Sequence, residues 1–260
     1  MIRKSRGSEV SMQGHPGSDA AAARSLVNHR RPRFYAALSA ALAFLLLAPS
    51  AFAQDSNPRV TFFGGGSFLK GERSFTIGGD PKRSEFAAGG KFGVRGTMDL
   101  NDHWAAEAAY SYGTNNLRIQ EIATPIRERD YGVRVHQLTG NLLYLWGGSH
   151  SRFRPFLTAG AGLSRFNPTS EAKSLASLRF VDEPAPINSN SKFNFNYGGG
   201  VEARAGDVLG IRFDLRDHLS PIPRFGVPEA PTAGVADFFP VSGMVHDVEA
   251  SVGIVIYFHR

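Results

Sequence analysis

Residues 85–112 read EFAAGGKFGVRGTMDLNDHWAAEAAYSY, and this stretch decides the fold. Before the turn at 99–102, every second residue is apolar, aromatic or small, whereas Lys91 and Arg95 take the other parity. After the turn the alternation resumes, with Glu107 on the polar side. Because successive side chains of a strand point to opposite faces, the stretch predicts a hairpin with one apolar face and one polar face.

Period-two alternation recurs along the chain and predicts eight strands, an even number. The alternation is most regular in 192–205. It is weak in 59–70, where three successive glycines suggest a bend or a close approach of the backbone. The predicted strands are residues 59–70, 85–98, 104–112, 131–146, 153–166, 192–205, 209–216 and 244–258. Such a series of strands indicates an all-β fold.

The predicted connections alternate in length. Long polar or proline-containing loops are predicted at 71–84, 114–130, 167–191 and 217–243, and short turns at 99–103, 147–152 and 206–208. In an up-and-down meander every second connection lies on the same rim. One rim therefore carries the short turns and the other the long loops, which is the asymmetry of outer-membrane barrels.

Strand length and aromatic placement also favour a membrane barrel. Most of the predicted strands exceed the roughly 9–11 residues that a tilted strand needs to cross the hydrocarbon layer. Aromatic residues gather near the strand ends, as an interfacial girdle requires. These residues are Trp104, Tyr144, Trp146, Phe153, Phe193, Tyr197 and Phe258. We therefore predict an eight-stranded antiparallel up-and-down transmembrane β-barrel.

A soluble barrel that holds an apolar ligand would show the same alternation with its apolar face turned inward. The composition of the polar face argues against it, because ionic residues there are intermixed with glycine and alanine. The predicted lumen charge network consists of Lys91, Arg95, Glu107, Arg134, Glu202, Arg204, Arg212, Asp214, Arg216, Asp247 and Glu249. Basic and acidic groups balance once Asp99 near the rim is counted, so we expect ion pairs to fill and block the lumen.

The N-terminus has the pattern of a secretory signal. Arg30, Arg31 and Arg33 precede the apolar run 34–48, which is too short for a spanning helix. The small residues Ala51 and Ala53 then match a signal peptidase site, so cleavage is expected before Gln54. We predict an N-terminal extension and signal peptide over 1–53 and the barrel domain over 54–260; a retained membrane anchor is the alternative.

Charge and cysteine content narrow the function classes. The chain has 29 Lys and Arg and 23 Asp and Glu. Residues 1–53 hold seven of the basic and two of the acidic residues, so residues 54–260 hold 22 basic and 21 acidic residues. This near-neutral balance lacks the excess of basic residues that a nucleic-acid-binding surface needs. The absence of cysteine excludes a disulfide framework, a thiolate metal site and a cysteine nucleophile. No apolar run after the signal reaches the about 18 residues of a spanning helix, which excludes a helical membrane protein.

Three segments carry a resemblance to a known family: RPFLTAGAG at 154–162, YGGGVE at 197–202 leading to GIRFDLRD at 210–217, and the alternating terminal strand. With these segments the chain resembles the small eight-stranded outer-membrane β-barrels typified by the transmembrane domain of outer membrane protein A. The resemblance implies the outer membrane of a Gram-negative-type bacterium. It also implies folding by the barrel assembly machinery, which looks for a terminal aromatic; here Phe258 is followed by His259 and Arg260.

One motif hints at catalysis. His218-Leu219-Ser220 is similar to the His-x-Ser motif of lipid A deacylases, which need a histidine-activated serine facing lipid. Parity argues against that role, because Ile211, Phe213 and Leu215 face lipid and position 218 would then face the lumen. The histidines lack metal-ligand spacing, and no helix follows either glycine triplet as a phosphate loop requires.

We therefore expect a non-enzymatic barrel without cofactor or metal, in a structural, adhesive or binding role with the long loops as contact surface. A small gated pore for ions or small solutes is the alternative, and a lipid-modifying enzyme the second alternative. The expected partners are outer-membrane lipid and lipopolysaccharide, the assembly machinery and an extracellular ligand of the loops. We expect a monomer that binds no nucleic acid.

Overall fold

The computed structural model describes residues 57–70, 73–77, 80–121, 128–148, 151–179, 187–226 and 243–258. The predicted signal peptide, with Ala51, Ala53 and Gln54, lies outside these residues. The elements are β1 Arg59–Lys70, β2 Arg73–Ile77, β3 Asp80–Asp99, β4 Trp104–Glu121, β5 Glu128–Leu145, β6 Phe153–Pro168, α1 Ser170–Arg179, β7 Asn190–Arg204, β8 Leu209–Pro221 and β9 Met244–Tyr257.

Eight of the strands form a closed ring. Antiparallel pairing runs through β1, β9, β8, β7, β6, β5, β4 and β3, and β1 then pairs with β3 from Arg59 opposite Thr97 to Ser67 opposite Gly89. Within the described residues, the short strand β2 lies outside the ring and pairs with the first residues of β3. The predicted eight-stranded antiparallel barrel is therefore confirmed.

The sidedness of the wall follows the sequence alternation. Phe92, Leu157 and Phe213 are more than half exposed on the outer surface, whereas Arg95 and Arg212 are buried within the ring. An apolar outer wall around a charged interior is typical of a barrel that meets lipid and is opposite to a soluble barrel with an apolar ligand.

Several strands are longer than predicted. The predicted loop at 71–84 is wrong where it covers β2 and the start of β3, and the predicted loop at 114–130 is wrong because β4 continues to Glu121 and β5 begins at Glu128. These extensions are rich in charged and polar residues, and apolar alternation in β4 beyond Asn116 is limited to Leu117 and Ile119. An 18-residue strand tilted by about 40° stands about 45 Å high, well above an apolar band of about 25 Å.

The other two long loops also contain regular structure. The segment predicted as the loop 167–191 holds α1, whose first turn is capped by Thr169: its Oγ1 accepts from the Ala172 N–H at 3.2 Å. Strand β8 runs to Pro221, so the loop predicted at 217–243 starts later. Residues 227–242 lie outside the described part of the chain.

At the short-turn rim, aromatic rings form the predicted girdle on the outer wall. The Tyr144 ring contacts Trp104 edge-on at 5.1 Å and Trp146 at 5.2 Å between centroids.

Among the described residues, no helix is long and apolar enough to cross a membrane.

Candidate functional site: the charged lumen

The inner face of the ring carries most of the predicted charge network. Inward positions alternate with outward ones along each strand, so β8 contributes three charged residues from every second position. The predicted residues that lie buried inside the ring are Lys91, Arg95, Glu107, Glu202, Arg212, Asp214, Arg216, Asp247 and Glu249.

The central layer joins opposite walls of the barrel. Arg212 Nη1 lies 2.8 Å from one carboxylate oxygen of Glu107, and Arg216 Nη1 lies 2.8 Å from the other. Glu107 belongs to β4 and both arginines to β8, four strands away in a ring of eight. Asp214 accepts from Arg212 Nε at 3.0 Å and from Arg216 Nη2 at 2.8 Å. Arg95 of β3 donates to Asp214 at 3.3 Å, extending the layer to a third strand.

A second layer lies toward the long loops. Lys91 Nζ lies 2.7 Å from Asp247 and 3.3 Å from Glu249, and it donates to Gln137 at 2.9 Å. Glu249 also pairs with Arg95, which links this layer to the central one. These contacts connect β3, β5 and β9 across the interior.

A third layer of ion pairs lies in the interior near the short turns. Arg59 donates to Asp99 at 2.6 Å and to Glu202 at 3.0 Å. Arg154 reaches the other oxygen of Asp99 at 3.0 Å, and the Tyr257 hydroxyl donates to Glu202 at 3.0 Å. Sequence reasoning missed Arg59 and Arg154. Arg154 has the same parity as the buried Thr158, and that signal could have found it.

Two predicted network residues lie elsewhere. The prediction for Arg134 is wrong: its side chain is exposed on the outer wall, because it has the same parity as the outward Leu138 and Leu142. Arg204 is half-buried on the inner face at the end of β7, with its guanidinium carbon 4.2 Å from the centre of the Tyr257 ring. It stacks on an aromatic ring rather than joining the central layer.

Glycines on the inner face make room for the large side chains. A Cβ at Gly198 would clash with the Leu215 carbonyl oxygen and would meet the Arg216 side chain at 3.1 Å. A Cβ at Gly200 would clash with the Phe213 carbonyl oxygen and would meet the Phe156 ring at 2.6 Å. The Arg212 guanidinium in turn lies 4.3 Å from the centre of that Phe156 ring. Gly198 and Gly200 therefore permit both the close approach of β7 to β8 and the packing of these large side chains.

An apolar cluster, here called the cap, fills the loop end of the interior. It was not predicted, although the inward parity of Val133 and Val135 signals it. Loop segments complete it: the Asn188 N–H donates to the Phe225 carbonyl at 2.7 Å, and Phe225 itself has a positive φ of 53°. The cap consists of Leu69, Tyr131, Val133, Val135, Phe166, Ala172, Ile222, Phe225 and Val245.

The candidate catalytic motif lies inside the barrel. His218 and Ser220 are buried on the inner face of β8, as parity predicted for position 218, and both point away from the outer wall. His218 Nε2 lies 3.4 Å from a Glu249 oxygen in the loop-side layer. Within the described ranges, no group of three or more His, Asp or Glu side chains could hold a metal ion.

Residues 39–222 match the family model for the outer membrane protein beta-barrel domain. No curated protein matches the chain in sequence.

Several solved structures are similar. Neisserial surface protein A is 12% identical, with 79% of this chain and 100% of that chain covered and a TM-score of 0.45. OprG from Pseudomonas aeruginosa is 14% identical, with 78% of this chain and 96% of that chain covered and a TM-score of 0.48. Ail of Yersinia pestis, solved in complex with the heparin analogue sucrose octasulfate, is 11% identical. The match covers 79% of this chain and 100% of that chain, with a TM-score of 0.45.

Proposed function

Because the chain belongs to the outer membrane protein beta-barrel domain family, we propose that it is a barrel with a closed lumen that acts through its external surface. It is a protein of the outer membrane of Gram-negative bacteria. Its role is structural or adhesive, with binding by the long-loop rim, and it is not an enzyme. The rim offered for binding includes α1 and the segment 222–226.

The observation that carries this proposal is the pair of contacts made by Glu107. Arg212 Nη1 and Arg216 Nη1, both from the opposite wall, each lie 2.8 Å from one of its two carboxylate oxygens. Side chains that meet across the diameter occupy the middle of the lumen at that height. Fixed ion pairs also exclude a mobile ion, which would have to displace a bound partner in a low-dielectric interior.

Two further closures support the same conclusion. The Arg59, Asp99 and Glu202 contacts occupy the interior near the short turns, and Lys91 with Asp247 occupies it on the loop side. The cap adds apolar side chains at the loop end. A solute would have to pass four successive obstacles.

A small gated pore is the alternative. It would need a continuous water path or a means of moving one wall of charges away from the other. We expect the purified protein, inserted in planar bilayers at physiological salt, to give no steady openings. Steady single-channel openings would overturn the closed-lumen proposal in favour of the pore.

A lipid-modifying enzyme is the second alternative, and the burial of His218 and Ser220 disfavours it, because acyl chains lie outside the wall. A deacylase needs its serine at the lipid interface. We expect lipid A from cells that express the protein to keep its acylation pattern in mass spectra. A lost acyl chain would contradict the non-enzymatic role.

The partners follow from the location. We infer contact with outer-membrane lipid and lipopolysaccharide along the apolar wall, folding by the barrel assembly machinery, and an extracellular ligand at the loop rim. The barrel works as a monomer in this proposal, and it has no role with nucleic acid. The exposed outer aromatics Phe193 and Tyr197 fit the lipid contact.

A further inference from the structure

The loop end of the interior is covered by a short segment after β8, residues 222–226, here called the strap. Its Ile222 and Phe225 side chains are each 7% exposed and belong to the cap. At its start, the Ile222 N–H donates to the Gly243 carbonyl at 3.2 Å, which ties the strap to the residue before β9. The strap is therefore fixed to the barrel at one end and seated in the cap by two apolar side chains.

Phe225 has a backbone conformation that its own side chain disfavours. Its φ is 53°, and in the described part of the chain it is the only non-glycine residue with a positive φ. Gly226, next to it, has a φ of 93°. Two successive residues with positive φ favour the sequence Asn-Gly, because a bulky side chain crowds the backbone in this region. Contacts elsewhere in the structure therefore have to hold Phe225 in this conformation.

Two such contacts are present. The Phe225 ring is buried in the cap, which also contains Ala172 of α1. The Phe225 carbonyl accepts from the Asn188 N–H at 2.7 Å, and Ile187, the residue before Asn188, packs against the cap. Residues 187 and 188 belong to the connection between α1 and β7. Phe225 thus joins two connections that are separate in the sequence.

We propose that Phe225 is a latch that makes the strap and α1 open and close as one unit over the loop end of the barrel. The strained backbone favours release of Phe225, whereas the burial of its ring and the hydrogen bond from Asn188 favour closure. When the ring leaves the cap, it withdraws apolar packing from the same cluster that buries Ala172. Local opening of this kind involves one cooperative unit and leaves the rest of the fold intact.

The inference deepens the proposed function and rests on it in one respect, because it gives the rim proposed for binding a closed form and an open form. A ligand that contacts both α1 and the strap would favour the closed form, since it binds that form more tightly. Opening can be measured without any ligand or any conductance. A negative result would therefore overturn the latch without bearing on binding by the rim or on closure of the lumen.

The test is limited proteolysis of the protein refolded into vesicles, with the fragments identified by mass spectrometry. Phe225→Asn removes the ring but suits a positive φ, so the backbone of the strap itself is not disrupted. We expect proteinase K to cleave within α1 about tenfold faster in this variant, because cleavage follows the population of the open form. Heat-modifiable gel mobility should remain that of a folded barrel. An unchanged rate within α1 would overturn the latch, even if the strap itself is cleaved faster.

Phe225→Leu is the matched control. It keeps an apolar side chain for the cap at the same disfavoured φ, so α1 should be cleaved at a rate close to that of the unchanged protein. Equal acceleration in the Asn and Leu variants would contradict the role of the buried apolar side chain.

Coupling between the two parts also has to be reciprocal. Ala172→Glu, which places a carboxylate at the buried position of α1, should increase cleavage within the strap by a similar factor. This second measurement does not depend on the folding of a Phe225 variant. A strap that stays protected while α1 is cleaved faster would show that the two parts open independently, and it would overturn the proposal.

Discussion

Glu107 is the side chain on which the opposite walls meet, and its surroundings make it costly to change. It is fully enclosed with Arg212 and Arg216, and a buried ion pair that loses one partner leaves an uncompensated charge. The ion pairs themselves need not add net stability, but loss of the Glu107 carboxylate would leave buried arginine charges without their counter-charge.

We expect Glu107→Gln to lower the free energy of unfolding by about 3 kcal/mol or more. The amide keeps the shape of the side chain but withdraws the charge from two guanidinium groups, of which Asp214 can compensate only part. Urea unfolding in lipid vesicles, followed by gel mobility, measures the change.

Thr97→Val is the matched control for that prediction. The Thr97 hydroxyl donates to Glu107 at 3.2 Å, so its removal costs a single hydrogen bond, about 1 kcal/mol. Equal losses in the two variants would contradict the assignment of a cross-barrel role to the Glu107 charge.

Alternation was enough to assign inward charges such as Arg95 and Arg212 to one face, because the direction of a side chain in a strand is a local property. It could not identify partners. Which carboxylate meets which guanidinium depends on the stagger of strands that are far apart in sequence, as Glu107 and Arg216 are. Arg134 was assigned wrongly because charge was given more weight than parity, although Leu138 on the same strand already defined the outward face.

At the level of elements, α1 and the cap were the least predictable parts. The helix is short and largely polar, so it lacks a strong amphipathic pattern, and its burial comes from Ala172 alone among its described side chains. Helix formers after the capping residue Thr169 were the available signal. In the extensions of β4 and β5 the signal was short, because apolar alternation is limited to Leu117 and Ile119 and Pro125 follows them.

Ala172→Glu tests whether α1 seals the loop end. Ala172 is buried in the apolar cap, so the helix should detach rather than bury a carboxylate there. We expect proteinase K to cleave the segment 169–189 about tenfold faster while the strands stay protected, because cleavage follows the population of the open segment. Mass spectrometry of the fragments measures this rate.

Lys173→Glu places the same side chain one position further along the helix, where it is exposed. It should leave the cleavage rate close to that of the unchanged protein. A similar acceleration in both variants would mean that the added charge, rather than the loss of packing at Ala172, loosens the helix.

For the whole molecule, ring closure could be predicted because an even number of strands and alternating loop lengths agree with one another. The detail that could not be predicted is β2, a five-residue strand that extends the hairpin outside the ring. Strand β2 can pair with β3 because β3 extends beyond the part that pairs with β1. The length of β3 could not be read from the alternation of its own residues.

If the lumen is closed at several heights, as we propose, the barrel should tolerate the loss of any one of these closures. The charge-balanced variant Glu107→Ala, Arg212→Ala, Asp214→Ala and Arg216→Ala removes two acids and two bases from the central layer. The layer around Arg59 and Asp99 and the layer around Lys91 and Asp247 remain, as does the cap.

We therefore expect this variant to fold, as judged by its heat-modifiable mobility, and to give no steady openings in planar bilayers. Water admitted at the centre still meets a barrier toward the short turns, where Arg59 spans from Asp99 to Glu202, and another on the loop side, where Lys91 contacts Asp247. Steady openings in a folded variant would show that the central layer alone seals the barrel. In that case the side chains around Arg59 and Lys91 would serve to hold the strands together, and a gate at Glu107 would become the simplest route to a conducting state.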